Sequence, residues 1–138
     1  MAASYPLKVD QGETFRLSLV YALPGPTSDD PVVPIDITDY TARMQIREKY
    51  ASPVLVEATT ENGGIEIVGE EGRINLVLTD VQTDTLGAKG DKPRTSALYD
   101  LEIVSPGGDV KRVVEGSVTI NPNITRIEAT GGSEGGGA

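Results

Sequence analysis

Asp100, Glu102 and Glu66 are the residues whose types could carry acid–base chemistry in this chain. Two carboxylates flanking one bond, one protonated and one charged, are what glycoside hydrolysis needs. All three fall on outward positions of alternating segments, where acidic side chains are normally solvated. They read as surface charges. Asp29 and Asp30 are adjacent, and a carboxylate pair is the beginning of a cation site. Side chains of adjacent residues diverge, however, and calcium wants six to eight oxygens from a shaped loop. No spaced Asp/Asn/Gly loop follows this pair.

Other chemistries lack their residues. The chain has no cysteine and no histidine. Thiolate nucleophiles, disulfides, the usual neutral-pH base and the commonest metal ligand are therefore excluded. Its serines have no histidine partner. Gly63-Gly64 and Gly107-Gly108 lack the Lys/Ser pattern and the following helix of a phosphate loop. Lys111, Arg112 and Glu115 read as surface charges. The sequence thus assigns no catalytic residue, no cofactor-binding residue and no metal ligand, and it predicts a protein that is not an enzyme.

Charge bears on partners. The chain carries 12 basic and 21 acidic residues, a net charge of −9. Nucleic-acid binding draws most of its affinity from basic patches on phosphates. Here the densest basic groups are Arg43-Arg47-Lys49, Lys89-Lys92-Arg94 and Lys111-Arg112, each small and beside acidic neighbours. Stacking on bases also needs exposed aromatics beside cations. Only Tyr40 near Arg43 and Tyr50 near Lys49 qualify, and both read as tyrosines at strand ends. No nucleic-acid partner is expected. No apolar run approaches the ~20 residues of a membrane helix. The N-terminus does not read as a signal peptide, because no basic region precedes an apolar stretch.

The elements that must position these side chains are strands. Thr14–Tyr21 alternates Phe15, Leu17 and Leu19 with Arg16 and Ser18, the period-two signature of a half-buried strand. Thr41–Glu48 sets Ala42, Met44 and Ile46 against Arg43, Gln45 and Arg47. Arg73–Leu78 aligns Ile74, Leu76 and Leu78. Ala97–Val104 aligns Tyr99, Leu101 and Ile103, with Asp100 and Glu102 outward. Val110–Ile120 places Val114, Gly116, Val118 and Ile120 on one face, and Gly116 marks a bulge or a close backbone approach. Leu7–Val9, Val54–Thr59 and Ile65–Val68 are shorter strands. Thr79 with Gln82 forms a capping-box pattern opening one or two helical turns, whose Val81 and Leu86 could reach the core.

Between strands stand Gly- and Pro-marked turns: Asn62-Gly63-Gly64, Gly69 to Gly72, and Ser105 to Asp109. Ala22–Pro34 is a polar loop with four prolines, read as a surface feature that touches a partner or as an insertion. Residues 1–6 read as a flexible arm, 7–123 as the folded domain, and 124–138 as an extended arm ending in the Gly-rich run from Gly131 to Ala138. About eight short strands with one very short helix make an all-β domain, with a two-sheet sandwich preferred to a barrel. Its core is expected to draw on Phe15, Leu17, Leu19, Met44, Ile46, Ile74, Leu76, Leu78, Leu101, Ile103, Val114 and Val118.

Four quoted segments, taken together, resemble a known family: DQGETF, ITDYTARMQIREKYASPVLVEATTENGGI, GRINLVLTD and YDLEIVSPGGDVKRVVEGSVTINPNITR. Together they span about Val9 to Arg126. The set is similar to small immunoglobulin-like β-sandwich proteins of tailed bacteriophages, including the N-terminal modules of baseplate or fibre-adaptor proteins. That resemblance implies an antiparallel immunoglobulin-like sandwich. It also implies a virion protein attached by contacts with other virion structural proteins, in a symmetric multicopy assembly, at the neck, tail or baseplate. It transfers no catalytic residue. Two departures stand out: the long Ala22–Pro34 loop, and the Gly-rich tail in place of a fibre domain. They leave room for a capsid decoration protein, and a non-viral adhesion or binding module is the third reading.

Overall fold

A computed structural model describes residues 2–23, 27, 29 and 31–124. In chain order the strands are β1 (Ala3–Ser4), β2 (Leu7–Asp10), β3 (Phe15–Val20), β4 (Ala22–Leu23), β5 (Val33–Pro34), β6 (Thr41–Arg47), β7 (Val54–Thr59), β8 (Ile65–Val68) and β9 (Arg73–Leu78). Helix α1 (Asp80–Gly87) follows. Then come β10 (Ala88–Lys89), β11 (Lys92–Pro93), β12 (Ser96–Val104) and β13 (Val110–Asn121). The alternating segments of the sequence all fold as strands. β4–β5 is a two-residue ladder inside the Ala22–Pro34 stretch that sequence reads as a loop, and β10–β11 is a second such ladder after the helix.

Two sheets enclose the core. The larger runs β7-β6-β12-β13 antiparallel, with β1 and β2 both lying parallel to the far edge of β13. The smaller runs β3-β9-β8. The chain crosses between sheets from β2 to β3, β3 to β6, β7 to β8 and β9 to β12. This is the strand order of an immunoglobulin-like sandwich: a B-E-D sheet over a C-F-G sheet, with β7 added beyond C. The expected fold class is thus observed.

Period-two alternation explains which side chains enter. Ala42, Met44 and Ile46 of β6, Tyr99, Leu101 and Ile103 of β12, and Ile74, Leu76 and Leu78 of β9 are all buried. Leu86 and Ile120 join them, as the helix and strand patterns allowed, and so do Leu7, Val9 and Ile37, which lie outside the expected core set. Phe15, Leu17 and Leu19 pack against the core but stay half-buried. The reason is topological. The N-terminal strands add to the large sheet, so β3 is left at an open edge of the small one.

Helix α1 opens with the expected capping box: Gln82 N donates to Thr79 Oγ1 at 3.1 Å and Thr79 N to Gln82 Oε1 at 2.9 Å. Its core contact is Leu86, fully buried, whereas Val81 is 69% exposed and does not reach the core. Thr83 is the helix's other inward residue. Its hydroxyl donates to Glu13 O at 2.8 Å and accepts from Gly12 N at 3.0 Å. Buried Gln11 donates through Nε2 to Asp84 O at 3.1 Å and accepts from Asn123 N. This polar knot joins the β2–β3 turn, the helix and the end of β13.

The N-terminal residues differ from the expected flexible arm. Ala3 and Ser4 pair with Val114 and Glu115, and Tyr5 N donates to Glu115 O. Gly116 permits this approach: a Cβ there would lie 2.5 Å from Tyr5 O. Of the two sequence readings of Gly116, the close approach is the one observed. The expected C-terminal arm lies outside the described residues, except for Ile124, which is exposed.

Leu101→Ala, at the centre of the core, is expected to cost ~2–5 kcal/mol. Phe15→Ala should cost clearly less than the ~3–5 kcal/mol of a fully buried ring. Urea unfolding with an unchanged slope checks both. A Gly116→Ala variant should lift residues 3–6 off β13, read as faster amide exchange at Tyr5 while the β6–β12 ladder stays protected.

Candidate functional site: the outer face of the large sheet

The outward side chains of β7, β6, β12 and β13 form cross-strand rows. Arg43 stands opposite Glu102, and Glu102 opposite Arg112. In the next row Glu57, Gln45, Asp100 and Glu115 follow one another. Opposite charges facing each other across strands are the favourable arrangement on a sheet surface.

One irregularity completes the pattern. The β12–β13 register runs from Leu101 opposite Val114 to Glu102 opposite Arg112, so β13 carries one extra residue, Val113. That bulge lets Arg112 and Glu115, three apart in sequence, both point outward. Arg112 then bridges two carboxylates: Nε lies 3.4 Å from Asp100 Oδ2, and Nη1 3.3 Å from Glu115 Oε1. Arg43 Nε donates to Glu102 Oε1 at 2.8 Å, and Gln45 Nε2 to Glu57 Oε2 at 2.9 Å. Arg47 is turned along the strand end, donating to Ser52 O at 2.6 Å and Gln45 Oε1 at 3.0 Å.

Arg43, Gln45, Arg47, Asp100, Glu102, Arg112 and Glu115 line an open concavity of ≈ 930 Å³. Tyr50, 92% exposed, and Leu98, 44% exposed, also border it. Asp100 sits centrally. Its carboxyl is pushed above its ordinary value, first by partial burial and then by Glu102, with Arg112 opposing. At the neighbouring sheet end, Glu48 accepts from Lys89 Nζ at 2.6 Å and Arg94 Nε at 3.1 Å. Those two bonds, Lys89's first, hold the Glu48 carboxyl below its ordinary value. They also tie the β10–β11 hairpin to the end of β6.

Several residues weighed in the sequence separate here. Glu66 projects from β8 in the small sheet, beside Asn75, while Asp100 and Glu102 project from the opposite side of the sandwich. The three carboxylates therefore do not converge. Asp29 is exposed, and Asp30 lies outside the described residues. Among the described residues, no group of three or more carboxylates is placed to hold a metal ion. Tyr40 packs against the core, while Tyr50 is a surface ring beside Lys49. Of the basic groups, Lys89 and Arg94 share Glu48, and Arg43 and Arg112 are engaged in the rows above. The sequence missed the bridging role of Arg112. Strict alternation cannot reveal it, since the bulge resets the phase.

Tyr99 anchors the edge of this face. Its hydroxyl donates to Tyr5 O at 2.6 Å, reaching past Gly116, its cross-strand partner. Burial, reinforced by the neighbouring Tyr5, pushes the Tyr99 phenol from its ordinary 10.0 up to about 12.

No protein-family model and no curated protein matches this chain. Among solved structures it is similar to a chicken TCR, with 13% identity and a TM-score of 0.47 over 90% of this chain. The match spans 55% of that receptor chain. The fold assignment rests on the strand order described above.

The raised Tyr99 value sets a pH dependence. The folded state favours the neutral phenol, so its contribution to stability is fully present below the ordinary value of 10.0 and is lost as pH rises towards about 12. Ultraviolet titration of the folded protein should show one phenol ionising near that upper limit. The step should disappear in Tyr99→Phe. Retention of the same late step in that variant would refute the assignment.

Proposed function

We propose that this chain is a non-enzymatic structural protein of a tailed-phage virion, attached by protein–protein contacts at the neck, tail or baseplate. The virion setting comes from the family resemblance of Val9 to Arg126. The contact role draws on the structure, and one observation carries it. On the β4–β5 hairpin that flanks the proline-rich loop, Leu23 pairs with Val33, and both side chains are more than half exposed, as is neighbouring Val32. Contiguous large apolar side chains on a surface are a usual mark of an interaction site.

The outer face of the large sheet supports the same reading. Its carboxylates stand in cross-strand rows on an open surface, with Arg43 and Arg112 paired to three of them, an arrangement that favours orientation and partner choice over bond chemistry. In a repeated assembly, such a face would set register while the apolar hairpin supplied buried area. The net charge of −9 would keep free copies apart before assembly.

Copy number on purified particles tests the setting. A low copy number in multiples of three or six supports attachment at the neck, tail or baseplate. On the order of hundreds of copies would instead mean capsid decoration, following the symmetry of the head. Absence from particles defeats both readings and leaves the adhesion or binding module. Within the proposal, Leu23→Asp combined with Val33→Asp should leave the melting temperature nearly unchanged and strongly reduce occupancy on the particle. Full occupancy of that variant would show that the hairpin is not the contact.

A further inference from the structure

Asn62–Gly63 is the one Asn–Gly step in the chain. It lies in the crossover from β7, at the edge of the large sheet, to β8, at the edge of the small one. The chemistry available to such a step needs only water. The Gly63 backbone nitrogen attacks Asn62 Cγ and gives up its proton. The Cγ–Nδ2 bond breaks, and ammonia leaves carrying that proton. A five-membered imide results, and water opens it at either carbonyl to give aspartate or isoaspartate. Nothing is oxidised or reduced. Glycine as the attacking residue offers no side-chain obstruction. Beyond Gly63 and its two chain neighbours, no heavy atom lies within 4 Å of where a Cβ would stand.

The folded loop opposes that attack through specific hydrogen bonds. Asn62 Oδ1 accepts from Thr59 N at 2.9 Å and Gly64 N at 2.8 Å. Nδ2 donates to Glu57 O at 3.1 Å, and Asn62 N donates to Thr59 Oγ1 at 2.9 Å. Swinging Cγ onto the Gly63 nitrogen requires the side-chain amide to leave Thr59 N, Gly64 N and Glu57 O, while the Thr59 hydroxyl holds the backbone from which that side chain hangs. We propose that Asn62–Gly63 is a self-modification site, closed in the folded protein and opened when the hydrogen bonds of the 59–64 loop are lost.

Modification would make the opening permanent. A carboxylate at position 62 has no donor for Glu57 O, so that carbonyl loses its partner and gains a like-signed neighbour. Isoaspartate adds a backbone carbon where there is no slack. The chain at Gly64 already runs so close to β7 that a Cβ would lie 2.7 Å from Ala58 Cβ. Gly64 O also accepts Val77 N at 2.8 Å, which joins this loop to β9. A lengthened loop would lose that bond, which continues the β8–β9 ladder of the small sheet.

The test compares the whole protein in native buffer and in denaturing urea at one mildly alkaline pH, with peptide mapping of position 62 over time. Native deamidation should be slower by about tenfold or more, the factor expected from one or two net hydrogen bonds. Thr59→Ala removes the acceptor for Asn62 N. It should speed the native reaction and leave the rate in urea unchanged. Equal rates for the wild-type protein in the two conditions would overturn the proposal, and so would no product in urea. An unaltered native rate in a folded Thr59→Ala protein would also overturn it. If that variant does not fold, the wild-type comparison still decides. Modified protein, separated by its added negative charge, should melt at a lower temperature. An identical melt would refute the loss of that bond.

Discussion

β13 is hydrogen-bonded along both edges, to β12 on one side and to the N-terminal strands β1 and β2 on the other. Much of the architecture follows from this double engagement. An N-terminal strand can serve only one sheet at a time, and here it closes the edge of the larger one. The small sheet keeps three strands, and β3 keeps an open edge with Phe15, Leu17 and Leu19 half-buried. Gly116 is the position where the two edges meet most closely. Any side chain there would occupy the space of Tyr5 O, and Tyr99 could not hold that carbonyl. A buried phenol with its hydrogen bond satisfied is an inexpensive anchor, because only the unpaired polar group carries a large cost.

The same strand sets the electrostatics of the outer face. Without the extra residue at Val113, Arg112 and Glu115 would point to opposite sides of the sheet. With it, one guanidinium serves both Asp100 and Glu115. Each of these pairs is partly exposed and individually weak. Their collective effect is on arrangement: one row alternates Arg43, Glu102 and Arg112, and in the next Arg112 reaches across to the facing carboxylates Asp100 and Glu115. Such a face discriminates among partners by the cost of juxtaposing like charges more than by raw attraction.

At the far end of the sandwich, stability is polar rather than apolar. Gln11 and Thr83 are buried, and both are satisfied by backbone groups from the β2–β3 turn and α1, with Asn123 closing the knot. Buried polar groups of this kind contribute modestly when paired and cost far more when one partner is lost. They fix where the helix sits. Its eight residues are too few to be stable alone, and their inward contacts are Leu86 and Thr83.

The sequence by itself determined the eight longer strands, most of their inward faces and the capped helix. These depend on local rules: alternation with period two, the capping box at Thr79 and Gln82, and Gly- or Pro-marked turns. It also determined that neither thiol nor imidazole chemistry is available, because those side chains are missing. Tertiary structure decided what depends on long-range register. It set Asp100 and Glu102 on one outer face and Glu66 on the other. It made Arg112 a bridge through a one-residue bulge, and it laid residues 3–6 against β13. It also left Leu23 and Val33 exposed on a hairpin within a segment that reads as a polar loop. Apart from the short Leu23–Val33 ladder, the deciding contacts join segments that sequence alone does not bring together, and no local pattern encodes which strand edge a distant segment will find.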